Sequence, residues 1–204
     1  MKMNKQILIA TNNMGKREEY QSMLAPLGFE IVCPKDLNIA LDVDENGETY
    51  RENSYLKAKA FSKLVHLPVI ADDSGFEVEA LSGFPGLHSA RFAKEYGNDY
   101  ERAGAALNEK LGDNPNRRAK FRCCICFLKE ENAEPLYFEG EFPGIFLKGS
   151  HGTAGFGYDP FFHSEELDLD MGICPEEKKN AVSHRGKALR KLLAYLGENR
   201  PAAE

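Results

Sequence analysis

The chain is short of several features that mark whole protein classes. No apolar run approaches the roughly 18 residues needed to span a bilayer, and residues 7–10, following Lys5, are too few for the core of a secretory signal. There is no surplus of positive charge. Lys and Arg number 26 against 32 Asp and Glu, and the net charge of −6 argues against broad electrostatic binding to nucleic acid or to an anionic membrane. The cysteines are five, an odd number that does not suggest a secreted disulfide framework. Cys123, Cys124 and Cys126 fall inside an alternating strand pattern and lack a His or Cys pair at ligand spacing, which argues against zinc. Internal repeats, low-complexity tracts and clear linkers are also missing. These exclusions leave an ordinary globular protein, 42% hydrophobic and 28% charged, expected to be cytoplasmic and to form one domain over residues 1–204.

The remaining pattern alternates strands with helices. Residues 5–11 read as a first strand and 15–24 as a helix entered through a polar loop, followed by a second strand over 29–33. An acidic loop over 42–47 precedes a long helix whose start is marked by Thr49 and Glu52, the spacing of a capping box. Strands are expected over 67–71 and 76–81, a tight connection at 83–86, and a helix over 98–111. A long antiparallel pair over 119–128 and 135–146 leads to a helical end over about 185–196. Strands linked by helices, together with one long hairpin, predict an α/β fold with a mixed β-sheet flanked by helices.

Candidate chemistry concentrates in a few segments. Asp72 and Asp73 follow a buried apolar run and precede Ser74 and Gly75, so they are expected where strand gives way to loop, the usual ligand position of open α/β sheets. Successive residues face opposite ways, so one acid addresses the site and the other the scaffold. The same residues also make good turns. Thr11, Asn12, Asn13, Met14, Gly15 and Lys16 join a strand to a helix N-terminus, where backbone amides and the helix dipole favour an anion, although the spacing is not that of a Walker loop. Phe156, Gly157, Tyr158 and Asp159 combine glycine, aromatic rings and an acid in a loop able to stack on a planar base. His184 and Arg185, with Lys178 and Lys179 just before them, bring cationic donors to the start of the last helix. Cations in separate segments, an acidic pair, an acidic loop and an aromatic loop are what a nucleoside triphosphate with a divalent metal requires.

Taken in series, residues 9–16, 71–75, 85–91, 155–160 and 183–189 resemble the motifs of the inosine/xanthosine triphosphate pyrophosphatases, and the resemblance covers nearly the whole chain. It implies an elongated sheet with a substrate cleft between two lobes, a homodimer, and Mg²⁺-dependent hydrolysis of ITP, dITP or XTP to monophosphate and pyrophosphate. Carried over by motif, Asp73 would be the catalytic base and a metal ligand. Residues 11–16 and Lys57 would bind the triphosphate, Ser74 and Arg91 would meet the substrate, and Phe156 to Asp159 would hold the nucleoside. Lys179, His184 and Arg185 would recognise the base. The acidic loop would supply a second metal ligand, Asp44 or Glu45, and the sequence leaves that choice open. A pyrophosphatase for pyrimidine or modified nucleotides and a non-catalytic nucleotide sensor are the rival readings.

Overall fold

A computed structural model describes residues 6–198. The first strand, β1 (Gln6–Ile9), is apolar and almost wholly buried, and Lys5, expected in it, lies outside the described residues. Helix α1 (Met14–Leu24) follows, capped by the Asn13 side chain, then β2 (Glu30–Val32). Helix α2 (Tyr50–Ser62) begins with the expected capping box: Glu52 N–H donates to Thr49 Oγ1 at 3.1 Å and Thr49 N–H to Glu52 Oε2 at 3.2 Å. Beyond it lie β3 (Val69–Val78), β4 (Pro85–Gly86), α3 (Ser89–Glu95) and α4 (Tyr100–Leu111). The long strands β5 (Arg118–Leu128) and β6 (Leu136–Phe146) follow, then β7 (Phe162–Ser164), β8 (Leu169–Asp170), α5 (Glu176–Val182) and α6 (His184–Glu198).

The sheet is mixed and eight-stranded, in the order β2-β1-β3-β5-β6-β7-β8 with β4 on β3. β1 runs parallel to β2 and β3, whereas β3 with β4, β6 with β7 and β7 with β8 are antiparallel. One expectation is corrected here. The two strands expected at 67–71 and 76–81 merge into one, Val69–Val78, with Asp72 to Gly75 inside it rather than in a loop, and Glu79–Leu81 form a 3-10 turn instead of continuing it. Ladder partners secure both ends, since Val69 pairs with Leu8 and Phe76 with Gly86. Residues that favour turns locally are held extended by their neighbours, as β-propensity commonly is.

By compactness the chain divides into two units. The first ends at Asp73, resumes over Cys124–Glu139 and includes the last helix from Arg185; the second is Ser74–Cys123 with Gly140–His184. In the first, Ala58 and Phe61 of α2 pack on Leu8, Val69, Ala71, Cys126 and Leu128. The second is aromatic. Phe76 lies 4.8 Å from Phe121, 5.2 Å from Tyr158 and 5.6 Å from Phe146, ring centre to ring centre. Full burial of each such ring is worth roughly 1.5–3 kcal/mol. Among the described residues no helix is long and apolar enough to cross a membrane.

Candidate active site

In the first unit the pleat of β3 sends its two acids to opposite faces, and each acquires its own partners. Asp72 is almost fully buried. Lys16 Nζ stands 3.0 Å from its Oδ2, and Arg185 donates to the same oxygen from Nε and Nη2, both at 3.2 Å. Arg185 Nη1 in turn bonds Glu19, buried on α1. Burial works to raise the pKa of Asp72, but Lys16, Arg185 and Lys57 outweigh it and hold the carboxyl well below the usual range. Arg185 is thereby committed to Asp72 and Glu19. Lys16 belongs to the first turn of α1, where its N–H donates to Asn13 Oδ1 at 3.1 Å and Asn13 N–H donates to Thr11 Oγ1 at 3.1 Å. Asn12, Asn13 and Met14 are exposed at this helix start and Gly15 is half-buried.

Asp73 takes the face covered by α2. Asn53 Nδ2 donates to its Oδ2 at 3.0 Å. Burial raises the pKa of Asp73 and repulsion from Glu45 adds to it, while Lys16, Lys57 and the Asn53 hydrogen bond oppose; the balance is upward. Lys57 Nζ lies 2.7 Å from Glu45 Oε1 and donates to the Asp72 carbonyl at 3.1 Å. Burial disfavours the Lys57 charge, yet Glu45 and Asp72 more than compensate and hold its pKa above the ordinary value. The acidic loop is extended and alternates. Leu41 and Val43 pack against the core of this unit and Glu45 is half-buried, whereas Asp42 and Asp44 are exposed. Asp44 Oδ2 accepts from Asn46 at 3.4 Å. Of the two loop acids, Glu45 is therefore the one in the electrostatic field of Asp73. A carboxylate pair of this kind suits a hard cation, and Mg²⁺ is ordinarily held by one or two carboxylates together with substrate phosphates. Among the described residues no group of three or more His, Cys, Asp or Glu side chains forms a closed metal cage.

The second unit builds a different arrangement on the loop between β6 and β7. Lys179 Nζ, on α5, lies 2.7 Å from Asp159 Oδ2, with both side chains nearly fully buried. The same oxygen accepts Phe156 N–H at 2.8 Å, and the Lys179 ammonium stands 4.7 Å from the centre of the half-buried Phe156 ring, a cation–π distance. Gly155 and Gly157 both have positive φ, at 74° and 66°, which lets the backbone turn tightly on either side of Phe156. His184 is stacked on Phe121 at 5.0 Å. Tyr158 plays a structural part: its ring is buried and its hydroxyl donates to the Ser89 carbonyl at 3.2 Å. Ser74 is half-buried in β3 and Arg91 is exposed on α3.

The sequence profile of the Ham1 family matches residues 7–195. The chain belongs to the Ham1 family. Among curated members, a dITP/XTP pyrophosphatase of Leptospira interrogans is 42% identical over 95% of this chain and 98% of its own length. A dITP/XTP pyrophosphatase of Bacillus cereus is 40% identical over 97% and 98%. The structure of the Ham1 protein of Staphylococcus aureus matches with a TM-score of 0.84 at 38% identity, covering 96% of this chain and 100% of that one. The Ham1 protein of Coxiella burnetii follows at 0.83 and 33%, over 95% and 98%. The Ham1 fold is thus a mixed sheet flanked by helices, as the alternation of strands and helices predicted.

Sequence reasoning passed over Asn53 and Glu19, the buried partners of Asp73 and of Arg185. A lone Asn in the first turns of a helix carries little signal. Glu19 lies on the buried side of α1 next to Tyr20, and a charge at such a position is the one available hint, because buried charges require partners.

Proposed function

We propose that this Ham1 protein hydrolyses the non-standard purine nucleotides dITP, ITP and XTP to the monophosphate and pyrophosphate. The observation that carries this reading is the unequal pair on β3. Asp72 is neutralised by Lys16 and Arg185, whereas Asp73 is buried beside Glu45 with its pKa raised, the direction that favours a carboxylate acting as proton acceptor. Asp73 orients a water molecule and takes its proton as the water oxygen attacks the α-phosphorus. The bond from that phosphorus to the bridging oxygen breaks, and pyrophosphate leaves. Residues 11–16 and Lys57 hold the triphosphate, so positioning and charge neutralisation supply most of the rate. Asp73 and Glu45 would hold Mg²⁺, which would supply further neutralisation of phosphate charge.

The nucleoside falls to the second unit. Phe156 stacks on the base, Gly157 and Asp159 shape its loop, Tyr158 props that loop, and Ser74 and Arg91 meet the rest of the substrate. Lys179 and His184 donate to the carbonyl at C6 of hypoxanthine or xanthine. Arg185 serves instead by holding Asp72. Adenine presents an amino group at C6 and leaves such donors unpaired, at roughly 1–3 kcal/mol each, or tens- to hundreds-fold in rate. The 204 residues act as one catalytic domain in a cytoplasmic homodimer, on free nucleotides and not on nucleic acid or membranes. Product analysis tests the proposal: ITP, dITP and XTP should yield pyrophosphate only when Mg²⁺ is present, and ATP far less. Orthophosphate as the first product, or no release from any nucleotide, would overturn it.

A further inference from the structure

We infer that Asn53 is a positioning residue for Asp73, acting as the tie that keeps this carboxylate in register with the acidic loop that carries Glu45. The inference rests on the reading of Asp73 as the base. Asn53 is 1% exposed, and the two ends of its carboxamide serve different segments. Nδ2 donates to Asp73 Oδ2 at 3.0 Å, and Oδ1 accepts Gly47 N–H at 2.8 Å. The chemistry admits one orientation, because a carboxylate needs the donor and an amide N–H needs the acceptor.

The loop is drawn closely onto α2 around this tie. A Cβ at Gly47 would fall 2.7 Å from Glu52 Cβ and 2.8 Å from Asn53 Oδ1, so the approach requires glycine. Glu48 and Thr49 N–H then donate to Glu52 Oε2 at 2.6 and 3.2 Å. Two residues before Gly47, Glu45 meets Lys57 at 2.7 Å. The capping box fixes the start of α2, α2 fixes Asn53, and Asn53 sets the angle of Asp73 and the depth of the loop together. Displacement by about 1 Å at a reacting group costs on the order of 10² in rate.

Two variants of the full-length protein separate positioning of Asp73 from simple pinning of the loop. Asn53→Ala removes both contacts; amide hydrogen exchange over residues 44–48 should quicken at least tenfold and kcat for dITP should fall at least tenfold. Asn53→Asp keeps an acceptor for Gly47 N–H but sets a second buried carboxyl against Asp73 in place of the donor, so exchange in the loop should stay at the wild-type rate while kcat still falls tenfold or more and repulsion between the two acids lowers the melting temperature. Unchanged loop exchange in Asn53→Ala would overturn the inference. So would an Asn53→Asp enzyme with kcat within twofold of wild type, or one whose loop exchanges as fast as that of Asn53→Ala. Exchange is measured without nucleotide. Failure of the wild type to release pyrophosphate would refute the proposed reaction, which the loop measurement does not depend on.

Discussion

Around Asp73 the first unit gathers acids and lysines, whereas around Phe156 the second places a buried ion pair against an aromatic ring. Asp73 keeps a raised pKa beside Glu45, with Lys16 and Lys57 nearby. Asp159 and Lys179 neutralise each other at 2.7 Å and leave an aromatic face on Phe156. The difference follows from the ligands proposed for each unit. A triphosphate and a cation bring their own charge, so their site gains from being electrostatically incomplete beforehand. A purine base brings none, so the site proposed for it needs an apolar face and a few donors rather than free charge.

That contrast predicts different failures in the two units. The largest effect is expected from Lys179→Ala, which leaves Asp159 buried and uncompensated. Loss of one partner from such a pair costs about 3–5 kcal/mol, and at roughly 2–4 °C per kcal/mol for a chain of this size the melting temperature should drop by about 6–20 °C; calorimetry checks this. Next is Asp73→Asn, with kcat lower by a factor on the order of 10² or more and the fold intact. A carboxyl whose folded pKa lies above its unfolded value of about 3.9 destabilises the fold once ionised. In metal-free buffer at pH 7 the Asn variant should therefore melt no lower than wild type. Near-normal turnover would remove Asp73 from its role. Gly47→Ala should lower kcat about tenfold by pushing the acidic loop off α2, with base preference unchanged in competition assays.

The smallest effect belongs to a clasp in the second unit. Asp170 accepts from His151 Nδ1 at 2.5 Å and from His163 Nδ1 at 2.7 Å, and the His151 hydrogen bond is the main cause holding its pKa down. A depressed carboxyl stabilises the fold above its unfolded pKa of about 3.9, and that contribution is lost as pH falls through the folded value. Asp170→Asn should cost under about 1 kcal/mol at pH 7, since His151 is largely exposed. The gap from wild type should shrink in urea titrations carried to pH 3.

Local chemistry made the helices and the long strands legible. Thr49 and Glu52 announced α2 through a spacing that satisfies free amides within one turn, and β5 showed alternation over residues 118–123 followed by an apolar run to Leu128. β7 and β8, of three and two residues, are too short to display a period, and α3 is a seven-residue helix without a side-chain cap. Asp72 to Gly75 read equally as a turn because the ladder partners that hold the strand at its two ends, Leu8 and Gly86, lie elsewhere in the sequence. The inward turn of Glu45 rather than Asp44 follows a feature that was present in the sequence. Leu41, Val43 and Glu45 alternate with polar residues, the pattern of an extended segment with one face inward.

The division of labour between the units is tested most directly by the ratio of kcat/KM for ITP to that for ATP, measured on wild type, Asp73→Asn and Lys179→Met. The account predicts that Asp73→Asn loses rate on both nucleotides while the ratio stays within about threefold of wild type, and that Lys179→Met loses most of the ratio, since each unpaired donor is worth roughly 1–3 kcal/mol. A ratio that collapses in Asp73→Asn, or survives in Lys179→Met, would contradict it.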